Sequence, residues 1–435
     1  MIKITAPPEW GIEPVPKEHR LLGFLDYFAL WSSLGVGLLV LLAGTLLVPG
    51  LGLGPALLAT VVGTVVGCLL LALAGVIGSD NAIPTMVMLR PVLGIRGSYL
   101  PTILNIVQLI GWGAFEIIVM AQAANTITES LFGFSSYLLW VFLFAAWCVL
   151  LAIGGPLVVV RQWLKKFAVW LVYAITIYLT YYLFSHYDVG SLLRGEGTGE
   201  LPFWLAVDLV VAMPISWMPL VADYNRFARK AGPAFWGTYL GYFVANAWFY
   251  ALGALFVLAL QTTDLIPAIL TVTGGWVALV LILVDETDNA FADIYSAAVS
   301  GQNILPRARQ WWLTVAVGTI CFILAATVDI GQYENFLLFI GSVFSPLFGI
   351  LAADYFLLRR RRYQVEELYR DEGRYWYWRG VNGWAVLAWL LGILAYRAIA
   401  HYLPWLGASV PSFVISLGLY FAFGKLFLTG KLSSE

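Results

Sequence analysis

Long apolar runs alternate with short polar stretches along the whole chain. A helix needs about 20 apolar residues to cross a hydrocarbon core about 30 Å thick. Twelve blocks reach that length: about 22–48, 53–78, 98–127, 134–156, 164–184, 203–228, 233–260, 272–300, 309–329, 333–358, 379–400 and 404–428. They predict an all-α polytopic membrane protein with twelve transmembrane helices, spans one to twelve. An even number places both termini on one side. The segment 79–97, GSDNAIPTMVMLRPVLGIR, is too polar to span and is expected along the cytoplasmic face between spans two and three.

Two spans carry helix-breaking sequence. Span one reads WSSLGVG at 31–37, and span six reads MPISWMP at 213–219. Pro214 and Pro219 each remove a backbone donor and crowd the preceding turn. Freed backbone groups inside a bilayer are tolerated where they are buried in protein or line a cavity. A pair of Gly/Pro-interrupted spans at corresponding positions points to a transport site near the midplane. Spans one and six stand five apart, as two repeats of five helices would place them, with spans eleven and twelve appended. The same offset pairs span three with span eight. Prolines also kink purely structural helices, and glycines also serve close helix packing.

Composition supports the membrane assignment. Charged residues are 11% of the 435 and hydrophobic ones 61%, against about 25% charged in a soluble domain. With the N-terminus cytoplasmic, 22 of the 24 Lys and Arg fall inside, and Arg194 and Arg397 fall outside. Such asymmetry sets orientation. The inside set includes Arg161, Lys165, Lys166 and the run RRRR at 359–362, which reads as a topology anchor. The polar N-terminus has no signal-peptide pattern. Cys68, Cys148 and Cys321 each lie in an apolar block without zinc-ligand spacing and read as small core residues. No P-loop, HExxH or dinucleotide fingerprint is present.

Two spans carry polar faces. In span three, Gln108, Trp112 and Glu116 recur every fourth residue and form one stripe. A carboxylate at mid-span costs a few kcal/mol and must face protein or a wet cavity. A Trp one turn away offers a flat surface, so the pair suits a planar heterocycle with N–H donors. Core packing for Trp112 and a structural pair for Glu116 are the competing roles. Span eight contains DETDNAFAD at 285–293. At 100° per residue, Asp285, Asp288, Asn289, Ala292 and Ser296 cluster on one side, with Glu286 and Asp293 on its flank. The charges therefore belong to a helix turned toward the interior. This density of oxygen ligands suits a small cation, or a proton shared between carboxylates. Four adjacent ionised groups repel, so at least one is expected to be protonated or ion-bound. Asp293 is expected to be a helix-packing partner.

Several stretches resemble the nucleobase:cation symporter-1 family, which includes cytosine, hydantoin, allantoin and hydroxymethylpyrimidine permeases. VADYNRFARK (221–230) resembles the family's "ADF-x-RF" end of span six, and ILAADYFLLRRRRY (350–363) its "ADY…RRR" end of span ten. TDNAFA resembles a "NDNAL" stretch of span eight, and MLRPVLGIRGSYLPTILNIVQLIGW the "RFSFGVKGSWLPS…W" start of span three. The matches are spread, in order, over about 80% of the chain.

The resemblance implies the LeuT-type fold, with two inverted five-helix repeats and two additional C-terminal helices, and symport by alternating access. It implies a substrate ring held by Trp112, with Glu116 four residues on. It implies a cation site joining backbone carbonyls of span one, within 32–36, to span eight. Aligned on Asp288-Asn289-Ala290, Asp285 and Glu286 fall at the family's paired hydroxyl ligands. The expected cation ligands are Ser32, Gly35, Val36 and Ile282 through carbonyls, with the side chains of Asp285 and Glu286. The expected substrate residues are Ser33, Gln108, Trp112, Glu116, Ser216, Trp217, Asp288 and Asn289. Two departures stand out: carboxylates replace hydroxyl ligands, and Pro214 stands where members often have an aromatic in span six.

The expected organisation is a cytoplasmic tail (1–21), a transporter core (22–358, repeats about 22–184 and 203–358), a cytoplasmic basic loop (359–378), two accessory helices (379–428) and a cytoplasmic tail (429–435). The expected function is import, across the plasma or inner membrane, of a nucleobase-like heterocycle. A 4-aminopyrimidine such as hydroxymethylpyrimidine or cytosine fits Glu116 best. Coupling is to Na+ or H+, and no cofactor and no nucleic acid are implied; the partners are the heterocycle and the lipid bilayer. Competing classes are an amino-acid carrier of the same fold, which would offer a carboxylate-binding helix end, a membrane-embedded enzyme using the span-eight carboxylates as acid and base, and a channel.

Overall fold

The computed structural model describes residues 10–155, 169–262, 264–328, 331 and 333–428. The start of span five with Arg161, Lys165 and Lys166, and the tails 1–9 and 429–435, lie outside the described residues. Span one is two helices, Phe24–Ser33 and Leu38–Thr45, bent by 60° at residues 34–37. Spans two to five are Leu53–Asn81, Tyr99–Phe132, Tyr137–Gly154 and Val169–His186. Span six is Phe203–Trp217, a tight turn Met218–Leu220 and Val221–Asn225. Spans seven to nine are Ala231–Leu260, Gly275–Ile304 and Gln310–Thr327. Span ten runs from Tyr333–Ala352 into a π-helical end, Ala353–Leu358. Spans eleven and twelve are Gly383–Tyr402 and Ser409–Phe427.

Among the described residues, ten helices are long and apolar enough to cross a membrane, eleven with the bent pair of span one. Span eight has the length, 30 residues or about 45 Å. Its carboxylates keep it below that apolarity.

The helices pack in three groups. Span seven lies along spans one and two, and span six along span two. Span eight lies along span three, and spans four and nine close around that pair. Spans eleven and twelve pack on span ten. Each group of four therefore holds counterparts five spans apart: one with six and two with seven, three with eight and four with nine. Small residues set the first group's spacing, as they do where helices associate in lipid. A Cβ on Gly44 would sit 2.2 Å from the Tyr250 carbonyl, and one on Gly253 would sit 2.0 Å from that of Leu41.

Both predicted breaks are present, and span six refines the expectation. Pro214 is accommodated inside the first helix, where Gly67 of span two meets its ring. The helix gives way at Met218–Leu220, around Pro219. The segment 79–97 is corrected more strongly. It forms two short helices, Thr85–Met88 and Arg90–Leu93, whose residues are all buried. It is tucked into the protein because its polar groups find partners there. Asp223 accepts the Thr85 N–H at 2.9 Å, and Arg90 donates to Asn303 and to the Leu368 carbonyl. The RRRR run is also partly consumed internally: Arg359 pairs with Asp354, and Arg361 with Asp80.

Candidate functional site

The break of span one meets the carboxylate face of span eight. Residues 34–37 interrupt the helix, and span eight supplies polar groups on both sides of the gap. Ser33 Oγ donates to Asp285 Oδ1 at 2.6 Å and lies 3.4 Å from Asp288 Oδ2. Asn289 Nδ2 donates to the Val36 carbonyl at 2.9 Å, and the Leu38 N–H donates to Glu286 Oε2 at 2.9 Å. Gly37 is a position of close approach, since a Cβ there would lie 3.0 Å from both Asn289 Nδ2 and Glu286 Oε2. Ser32 turns the other way: it accepts from the Tyr173 hydroxyl of span five at 2.8 Å and donates to the Gly241 carbonyl of span seven.

A second cluster lies beside this one. A small cavity of about 10 Å³ is lined by Trp112 and Glu116 of span three, Ser216 and Trp217 of span six, and Asn289 and Asp293 of span eight, with apolar residues of span one. It has room for about one water, so the walls must part before a ring can enter. Trp217 stands edge-on to Trp31 of span one, with centroids 6.2 Å apart at 89°. The carboxyls of Glu116 and Glu286 lie close enough to act on one another, which joins the cavity to the break.

Glu116, Asp285, Glu286, Asp288 and Asp293 are all buried. Among the described residues the ion pairs are Arg359–Asp354, Arg361–Asp80 and Arg370–Glu367, and none reaches these five. Asp285 Oδ2 and Asp288 Oδ1 accept no hydrogen bond. Acids packed this closely need compensating positive charge, from protons or a bound cation. No three His, Cys, Asp or Glu side chains among the described residues converge as metal ligands do. A much larger groove of about 500 Å³ between spans three, four and eight is lined by apolar and aromatic residues with two threonines, Thr128 and Thr287. It lacks the convergent polar groups of a recognition site.

The chain matches the family model for permeases of cytosine and purines, uracil, thiamine and allantoin over residues 14–420. It belongs to this family. A hydantoin permease from Microbacterium maritypicum is 27% identical over 399 residues, covering 86% of this chain and 81% of that one. A cytosine permease from Escherichia coli K12 is 26% identical over 362 residues, covering 80% and 78%. A solved nucleobase-cation-symport-1 transporter, in a closed conformation with bromovinylhydantoin bound, matches with a TM-score of 0.88 at 23% identity over 98% of both chains. The fold is therefore the LeuT-type fold of nucleobase:cation symporters, and the chain is a multi-pass transporter of this permease family and not an enzyme.

Within this permease fold, the structure regroups the residues singled out in the sequence. Trp112, Glu116, Ser216, Trp217 and Asn289 come together around the cavity. Ser33 does not line it and instead joins Asp285 and Asp288. Asp288, expected beside the substrate, thus sits with Asp285, while Glu286, expected beside Asp285, faces Leu38 and Glu116. The reason is angular: residues three apart share a helix side, and residues one apart do not. Gln108 turns to Asn105 and to the Ser216 carbonyl at the span-six break. Gly35 packs against Ala245 and Tyr242 of span seven, the Val36 carbonyl is held by Asn289, and Ile282 is buried in its helix. Asp293 is a cavity residue that sequence reasoning assigned to packing. It lines the cavity, and none of the hydrogen bonds among the described residues involves it. Its position on the flank of the polar arc, beside Glu286, was the available signal.

Proposed function

We propose that this transporter imports an aminopyrimidine, such as hydroxymethylpyrimidine or cytosine, coupled to Na+ or H+ by alternating access, with both termini cytoplasmic. The observation that carries the proposal is the pairing of Trp112 with Glu116 on one cavity wall and Asp293 on another. The indole face stacks the ring. Glu116, whose Oε2 accepts no hydrogen bond from a fixed donor, takes the exocyclic amine and, on a protonated ring, the adjacent ring N–H. Asp293 adds a second acceptor for an amine-bearing edge. Keto rings such as uracil or hydantoin set a carbonyl oxygen beside each N–H and offer these acids no adjacent pair of donors. The cation or proton belongs at Ser33, Asp285 and Asp288, where one hydroxyl stands between two buried carboxyls.

An amino-acid substrate is disfavoured by the break itself. A substrate carboxylate would seek the N-terminal end of the second half of span one, and Glu286 already occupies it.

The test is Glu116→Gln in a binding assay. The amide loses one acceptor, so aminopyrimidine affinity is expected to fall about tenfold or more, with uracil moved little. Equal loss for both ligands, or none, ends the aminopyrimidine assignment.

A further inference from the structure

The second half of span one begins at Leu38, and its first N–H groups have no carbonyl partner one turn earlier. Such an end also concentrates positive potential. In carriers built on broken helices, that end commonly faces an anionic group of the substrate. Here a side chain of the protein fills the place. Glu286 Oε2 accepts the Leu38 N–H at 2.9 Å, and the Leu39 N–H bonds to the same carboxyl. The same residue meets Glu116 of span three. Next to it, Asn289 holds the Val36 carbonyl on the other side of the break. Gly37 between them leaves neither side chain spare room.

We propose that Glu286 is a positioning residue: it caps the second half of span one and carries the state of Glu116 to that half-helix. This rests on the Trp112–Glu116 cavity being the substrate site. Two properties follow. The half-helix end is closed to substrate anions, because its N–H groups are already bonded. Contact of a substrate with Glu116 also reaches the break through a single side chain, because Glu286 lies beside Glu116 and accepts the Leu38 N–H. Exchange of the Glu116–Glu286 contact for a Glu116–substrate bond leaves Glu286 to tighten on the half-helix. Occupancy of the cavity and the angle of span one are then mechanically linked, as alternating access requires.

The test compares Glu286→Gln, which keeps an acceptor oxygen, with Glu286→Met, which keeps the volume and loses the acceptor, each in the full chain. In proteoliposomes Glu286→Gln is expected to keep maximal uptake of labelled hydroxymethylpyrimidine within about threefold of wild type. Glu286→Met is expected to lose about tenfold or more of maximal uptake, with KM moved less than about threefold. A third variant, Glu286→Ala, is read without substrate. In detergent, formate at the vacated cap raises its melting temperature, and chloride at the same concentration does not. Equal losses in the Gln and Met variants overturn the proposal, and so does a KM rise at preserved maximal rate. A melting temperature of Glu286→Ala that formate leaves unchanged also overturns it. If the wild type takes up no aminopyrimidine, the substrate assignment fails, and the formate arm decides the role of Glu286 by itself.

Discussion

Two side chains near the break have roles that substitution can isolate. Ser33 donates a hydrogen bond to Asp285 and sits against Asp288. Ser33→Ala strands a buried carboxyl oxygen at a cost of about 1–3 kcal/mol. The expected result is a lower melting temperature together with weaker dependence of uptake on the imposed ion gradient. Asp293 has the opposite profile. It faces the cavity and, among the described residues, no hydrogen-bond donor holds it, so Asp293→Asn strands no partner and should not lower the melting temperature. The preference for an amine-bearing ring over its keto counterpart should fall about tenfold in competition binding. A large stability loss with unchanged preference would return Asp293 to a packing role. At this scale the sequence was informative about residue type and less so about neighbours. A Trp and a Glu four apart on an apolar helix announce an interior polar face, but the identity of what they face depends on another helix.

Individual helices show what a periodic pattern conveys and where it stops. The wheel drawn from span eight separated Asp285 and Asp288 from Glu286 and Asp293, and the structure uses that separation: one pair meets Ser33, the other meets the cavity and Leu38. Assignment by motif alignment crossed those faces, because an aligned string carries no angle. Both broken spans were legible from Gly and Pro. The exact turn was not: Pro214 stays helical because Gly67 receives its ring. The second half of span one also depends on a glycine contact with span seven, since Leu41 meets Gly253. Gly253→Ala is expected to cost about 1–3 kcal/mol by forcing the helices apart. A fall in melting temperature checks this, and uptake should fall with it because the displaced half-helix carries the cap.

Across the whole molecule, one end is laced by polar contacts between segments far apart in sequence. Residues 10–22 lie across that end: Arg226 donates to the Gly11 carbonyl at 2.6 Å, Tyr369 to that of Ile12 at 2.6 Å, and the Val15 N–H to that of Ala82 at 2.9 Å. Two arginines of the RRRR run join it with unequal weight. Arg359 and Asp354 are both buried and also share Tyr363, Tyr377 and Tyr420. Arg361 with Asp80 is exposed, its side chain 53% accessible. Breaking the buried pair with Asp354→Ala should cost about 3–5 kcal/mol, and Asp80→Ala no more than about 1 kcal/mol. Thermal unfolding of the two variants checks the contrast. Uptake into proteoliposomes under separately imposed sodium and proton gradients then identifies the coupling ion.

The sequence by itself determined the order of the apolar spans, the two breaks, the interior direction of the charged helix and the family. Each of these is set by local chemistry: hydrophobic length, proline and glycine geometry, and helical period. The tertiary structure decided which carboxylate meets which partner, that the two short helices within 79–97 are buried, and that Asp293 lines the cavity. It also decided that Glu286 accepts the Leu38 N–H at the start of the second half of span one. Those outcomes depend on the rotation and distance between helices that are separate in sequence. Close packing at Gly44 and Gly253, and the hydrogen bonds across the break, set that rotation and distance.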